Sequence, residues 1–219
     1  MSIEPQLRLM WLASPALPIG GFAYSEGLEA AVEQGLVHDG DSAAGWLSQQ
    51  LHFVARGDLA AIAALIPAWQ SGDTAELARV ATWLRITRDS AEARLQSEQM
   101  GQSLLLWLRQ QDAGLAARVE RLPVSHALVM SLALSAVDLP LRQVLQSQAF
   151  GWAENQVQAA LKAVPLGQNA GQCVLARLAA EIPAAVEVAI STEHRQVFVP
   201  RLAILAARHE TQYSRLFRS

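Results

Sequence analysis

Ala127-Leu128-Val129-Met130-Ser131-Leu132-Ala133-Leu134-Ser135-Ala136-Val137 carries no charged residue on any face. A helix on a protein surface keeps a polar stripe toward water, so one that is apolar all round belongs inside, surrounded by others. We place this segment at the centre of a helical bundle. Working outward, Asp138-Leu139-Pro140 breaks it, and Pro140 begins a helix that ends near Val164. Gly167 to Gly171 leads into another helix through Cys173 and Leu178, and Pro183 suits the first turn of a short helix after that.

Toward the N-terminus the helical recurrence of apolar positions continues almost unbroken, while β-branched alternation is confined to a few residues near Val197 and Val199. The spacing predicts helices over residues 6–13, from Ser25 to a left-handed C-cap at Gly35, from Asp41 or Ser42 through Trp46 toward Arg56, and from Asp58 to Gly72. Asp73 and Glu76 have capping-box spacing and open a helix to about Arg88, and Ser90 opens a long one to about Gln111. After Ser191 the pattern loosens around Pro200. The fold class is therefore all-α. With no repeat, low-complexity linker or composition break, residues 1–219 read as a single domain, a bundle of about ten helices with a basic C-terminal tail over 192–219.

Composition narrows the function classes. Hydrophobic residues make up 52% and mean hydropathy is +0.18, yet the longest uninterrupted apolar run, Leu59 to Trp69, is too short for a bilayer and contains Pro67. No membrane partner is expected, and the N-terminal residues lack the basic region and cleavage pattern of a secretory signal. Cys173 is the only cysteine, which precludes an internal disulfide and fits a reducing cytoplasm. A net charge of -3 gives no nucleic-acid footprint, but the charge is uneven. Residues 195–219 carry five arginines against Glu210, a net +4, which leaves -7 for residues 1–194. Such a tail suits an acidic surface, and its Tyr213, Leu216 and Phe217, flanked by Arg208, Arg215 and Arg218, look made to dock. Removal of Arg208 to Ser219 is expected to change helical content and melting temperature only slightly. The Gln- and Ser-rich helix over 140–164, with Gln143, Gln146, Ser147, Gln148, Gln156 and Gln158 in place of charges, is expected to supply a homodimer interface.

Catalytic equipment is sparse. Lys162 is the only lysine and has no Gly-rich run before it, so a phosphate-binding loop with its lysine is missing, and the chain should not hydrolyse GTP or ATP. His38, His52, His126, His194 and His209 form no close pair at metal-ligand spacing, so no stably held metal or cofactor is expected. One stretch is unusual: Ser14-Pro15-Ala16-Leu17-Pro18-Ile19-Gly20-Gly21-Phe22-Ala23-Tyr24-Ser25-Glu26-Gly27-Leu28-Glu29. Pro15 and Pro18 forbid continued helix, and Gly20-Gly21 permits a left-handed backbone, so a rigid loop should deliver Tyr24 to an interface or to the core. Ser25 should follow as the N-cap, with Glu26 and Glu29 set against the helix dipole. A rival reading takes Ser25 as a hydrolase nucleophile with Asp138 and His194, since Ala23 to Gly27 lies one residue from a Gly-x-Ser-x-Gly elbow; an elbow needs a preceding strand, and the Pro-rich loop offers none.

That loop resembles, nearly residue for residue, the N-terminal signature of the UreF family of urease accessory proteins. Arg94-Leu95-Gln96-Ser97-Glu98-Gln99-Met100-Gly101, the stretch Val164 to Gln172, and the ending Arg208-His209-Glu210-Thr211-Gln212-Tyr213-Ser214-Arg215-Leu216-Phe217-Arg218-Ser219 are also similar to that family, so the likeness runs from Leu9 to the last residue. The resemblance implies a non-catalytic, cytoplasmic, dimeric factor that bridges the scaffold protein UreD (also called UreH) and the GTPase UreG, so that the complex delivers nickel to apo-urease. It points to Pro15, Pro18, Gly20, Tyr24, Ser25 and Glu29 in the loop, and to Arg208, His209, Glu210, Tyr213, Arg215, Leu216 and Phe217 in the tail, as partner-binding residues. A generic helical adaptor is the alternative outside that family.

Overall fold

The computed structural model describes residues 3–209 and 215–218. Among them are eleven α-helices and no strand: α1 (Pro5–Ala13), α2 (Leu28–Glu33), α3 (Gly40–Arg56), α4 (Asp58–Ser71), α5 (Thr74–Ile86), α6 (Ala91–Gln111), α7 (Ala113–Ala117), α8 (His126–Ser135), α9 (Leu141–Ala163), α10 (Gln168–Ser191) and α11 (Pro200–His209), with a 3-10 turn at Gly21–Ala23. Helix α8 is the predicted centre. Every side chain from Ala127 to Leu134 is buried, and α4 and α6 flank it. Each fully enclosed leucine there contributes roughly 1.5–3 kcal/mol of transfer free energy. Two polar groups in this layer bond to one another: Trp69 Nε1 donates to Ser131 Oγ at 2.9 Å, and that hydroxyl donates to Leu128 O at 2.7 Å.

Helix starts follow local side-chain chemistry. Asp73 Oδ1 accepts the Glu76 N–H at 3.0 Å and Ser90 Oγ accepts that of Ala93 at 3.0 Å, as the spacing predicts, although the Glu76 carboxylate pairs with Arg79 instead of completing a capping box. The box belongs to α3, where Asp39 and Ser42 cap each other's backbone; Asp39, not Asp41 or Ser42, is the N-cap. Helix α2 starts three residues later than expected, with Gly27 at φ 84° as its N-cap, so Ser25 is not the cap residue. Its Oγ nevertheless accepts the Glu29 N–H at 3.2 Å, one of the donors left free in the first turn of α2.

Three other expectations change. Pro183 does not open a new helix but lies within α10, which continues because Ile182, Ala185, Val186 and Ala189 bury its far half. Helix α9 touches α10, α1, α4, α3 and α2, and of the six polar residues expected to face a partner copy Gln156 is instead enclosed at 1% exposure, while Gln143 and Gln158 reach the surface. The described residues after Ser191 pack on the body. Gln196 N–H donates to Arg56 O at 3.0 Å, the Arg195 guanidinium lies over Trp83 and beside Glu76, and α11 packs Leu205 toward α2. Residues Gly40–Ser71 are apolar enough over sufficient length to cross a membrane, but Gly57 divides them into α3 and α4, which pack inside the bundle.

Candidate functional site

The Pro/Gly loop folds as its composition dictates. Gly20 takes φ 75°, Asn155 Nδ2 donates to Gly21 O at 3.1 Å, and the 3-10 turn leaves Phe22 67% exposed. Pro15 and Pro18 are exposed on its outer side. Tyr24 then turns inward, 5% exposed, and its hydroxyl donates to Gln99 Oε1 at 2.8 Å. Of the two roles open to it, the ring takes the buried one.

Glu29 does more than complement a helix dipole. Its Oε1 accepts the Leu216 N–H at 2.7 Å and its Oε2 the Phe217 N–H at 2.9 Å, while His209 Nε2 lies 3.3 Å from Oε2. On its other side His209 Nδ1 lies 2.9 Å from Glu92 Oε2, and Arg215 Nη1 donates to Glu92 Oε1 at 2.5 Å. The imidazole is 1% exposed and stands between two carboxylates, an arrangement in which a doubly protonated ring donates to both and a neutral one to only one. Arg218 N–H donates to Ala23 O at 2.8 Å, Phe217 is buried, Leu216 is 70% exposed, and the Lys162 ammonium sits 5.9 Å from the ring centres of both Phe22 and Phe217. Loop, α2, α6 and tail thus form one surface. The basic tail finds acidic counterparts on its own body, at Glu29 and Glu92. Glu210 and Tyr213 lie outside the described residues, as does the side chain of Arg208.

Beneath this surface is a cavity of about 290 Å³ that His209 and Glu92 also border. Apart from His209, sequence reading missed its polar residues, because they come from six separate helices, the loop and the link between α5 and α6. Glu26, at φ 52°, turns its carboxylate to Trp152 Nε1 (3.0 Å) and Gln96 Nε2 (3.2 Å); burial pushes its pKa up against the pull of the Trp152 bond. Arg88 Nη2 donates to both oxygens of Asp58 at 2.9 and 3.0 Å. His126 is pushed down to about 4, by burial above all, with Asp58 opposing and Arg88 adding to the shift. Arg88 Nε, His126 Nε2 and Gln148 Nε2 are shut off from solvent without a protein partner, and all three residues line this cavity. Among the described residues no three His, Cys, Asp or Glu groups converge as a metal site would require.

The hydrolase arrangement gains no support from position. A 3-10 turn, not a strand, leads to Ser25, which is 1% exposed, whereas Asp138 and His194 are exposed residues following α8 and α10.

Residues 37–179 match the family model described as UreF. The chain is 54% identical over 219 residues to the urease accessory protein UreF of Polaromonas sp. (strain JS666 / ATCC BAA-500), covering 97% of this chain and 94% of that protein. It belongs to the UreF family of urease accessory proteins. The corresponding proteins of Methylibium petroleiphilum and Cupriavidus necator are 54% and 44% identical, each aligned over 97% of this chain. The family's part in urease maturation therefore extends to this chain, and the loop, the Arg94–Gly101 stretch and the basic ending, which carry the resemblance in sequence, are the elements that meet at the surface described above.

Proposed function

We propose that this UreF-family protein is a non-catalytic cytoplasmic adaptor that joins a UreD-type scaffold protein to a UreG-type GTPase, in a complex that delivers nickel to apo-urease. The supporting observation is the joining of loop and tail into one surface: Glu29 holds the backbone of Leu216 and Phe217, and exposed Phe22 and Leu216 stand on either side of that seam. Aromatic and aliphatic groups of this kind, rimmed by arginine, are what protein interfaces use as anchors. Nickel is cargo of the complex, no cofactor is held stably by this chain, and the protein acts as a homodimer. Regulation of GTP hydrolysis follows from holding the GTPase at this surface.

Co-expression with UreD and UreG tests the reading. Full-length chain should retain both partners in pull-downs and restore urease activity; capture of neither would overturn it. Ser25→Ala should leave activation largely intact, since it removes one helix-end hydrogen bond worth about 1 kcal/mol. Hydrolysis of a generic ester that disappears in Ser25→Ala would return the hydrolase reading. Light scattering that finds only monomer at tens of micromolar, roughly the range of moderate affinity, would remove the homodimer.

A further inference from the structure

A second depression lies beside the loop, where the 3-10 turn, Tyr24, the end of α5, the outer face of α6 and the segment 122–124 enclose a groove of roughly 1100 Å³. Arg85, Arg94 and Arg218 line it, against a single acid, Glu98. All three arginines are exposed, and none has an ion pair among the described residues. Arg79, Arg88 and Arg195 are matched to the protein's own carboxylates, whereas Arg8, Arg56, Arg109 and Arg121 also lack an ion pair among the described residues; the groove differs in bringing three such charges together. In a chain of net charge -3 the groove is therefore a positive island left unneutralised.

Its walls are not those of a simple anion site. Phe22 and Leu95 are 67% and 52% exposed, and Leu122, Pro123 and Val124 supply an apolar side. Gln99, Gln102 and Ser103 add neutral hydrogen-bonding groups along α6. The planar fork of an arginine matches a carboxylate with two parallel hydrogen bonds, and an apolar wall beside it favours side chains over a bare polyanion. Glu98 and the negative body work against nucleic acid.

Resting on the adaptor reading above, we propose that this groove receives a carboxylate-bearing, partly apolar segment of a protein partner in the maturation complex, read by Arg85, Arg94 and Arg218. The groove is larger than a drug-sized pocket and open along its length, which suits a peptide segment better than a small molecule. Arg85 and Arg94 act from the end of α5 and the start of α6, so the rigid body sets their spacing, while Arg218 is brought in by the docked tail.

The test uses the full chain co-expressed with UreD and UreG, comparing wild type, Arg85→Glu/Arg94→Glu and Arg109→Glu, an exposed charge reversal on α6 that does not line the groove. The double variant should lose about tenfold or more in capture of one partner and flatten the salt dependence of what remains, with an unchanged circular dichroism spectrum. Arg109→Glu should bind as wild type does. If charge reversal harms folding, Arg85→Ala/Arg94→Ala should show the same loss at smaller amplitude. Wild-type capture by the double variant overturns the groove and leaves the adaptor reading standing; equal loss in Arg109→Glu also overturns it, because net charge alone would then explain the effect. Failure of the wild-type chain to capture either partner removes both readings. Binding of a single-stranded RNA oligonucleotide through the same arginines would show a polyanion site and likewise refute the proposal.

Discussion

Glu29, at 6% exposure, receives two backbone N–H groups and faces an imidazole, so the tail adds three compensating groups to the N-terminal end of α2 on which its charge already stands. Glu29→Gln keeps the shape but supplies one acceptor oxygen, and its amide N–H confronts donors. Hydrogen bonds to a charged group are worth about 1.5–3 kcal/mol, so the substitution should lower unfolding free energy by roughly that amount in urea titration. The tail should become sensitive to dilute protease before the body does. His126 gives a pH prediction. Its pKa of about 4 in the folded chain lies below the ordinary 6.5, so between those values the unfolded state binds more protons. Stability is therefore fully present above pH 6.5 and falls as pH is lowered through the window, by up to about 1.4 kcal/mol per pH unit. His126→Gln should flatten that slope while changing little above pH 7, a difference that urea titrations at pH 7.5, 6 and 5 will read.

Among the elements, the contact of α6 with the start of α8 is the least forgiving. A Cβ on Gly101 would stand 2.5 Å from the carbonyl carbon of Ser125, and backbone cannot swing aside as a side chain can. Gly101→Ala should therefore cost about 1–3 kcal/mol of stability by thermal denaturation, as overpacking does, although alanine is the better helix former. Most elements were legible in sequence for reasons visible at their ends: Ser90, Asp73 and Gly72 act through bonds and dihedral angles to near neighbours. Pro183 misled because its penalty is local, whereas the burial of Ile182, Val186 and Ala189 that carries α10 past it is tertiary. Helix α11 was missed for a similar reason, since its inward face acquires meaning only against α2. At the site, the loop and the tail could each be read as special, but the bond of Glu29 to residues 187 and 188 positions away has no sequence signature. The cavity groups Glu26, Arg88 and His126 were equally hidden, each looking like an ordinary member of its own segment.

For the whole molecule, charge is segregated along the chain and neutralised across it only in part, since Arg195 and Arg215 meet carboxylates while Arg218 stays in the basic groove. The basic C-terminal portion meets the acidic body at Glu76, Glu92 and Glu29, and Leu205 and Phe217 enter the core beside those contacts. Truncation after Val199 would remove two buried apolar side chains, Leu205 and Phe217, and take from Glu29 the donors that hold its carboxylate. At roughly 2–4 °C per kcal/mol for a chain of this size, the melting temperature should fall by about 10 °C. A truncated protein that melts within a degree or two of the full chain would show that the tail contributes little to the body.

Lys162 offers a way to watch that attachment directly. As the chain's one lysine side chain, 5.9 Å from the ring centres of both Phe22 and Phe217, it can be reductively dimethylated with carbon-13 formaldehyde and a borohydride-type reductant to give a single side-chain resonance. Each ring imposes its own magnetic shielding on the methyl groups. Undocking of the tail would withdraw one ring and leave the other, so the chemical shift should move partway toward that of free methyl-lysine, and exchange broadening would report how often the tail lets go.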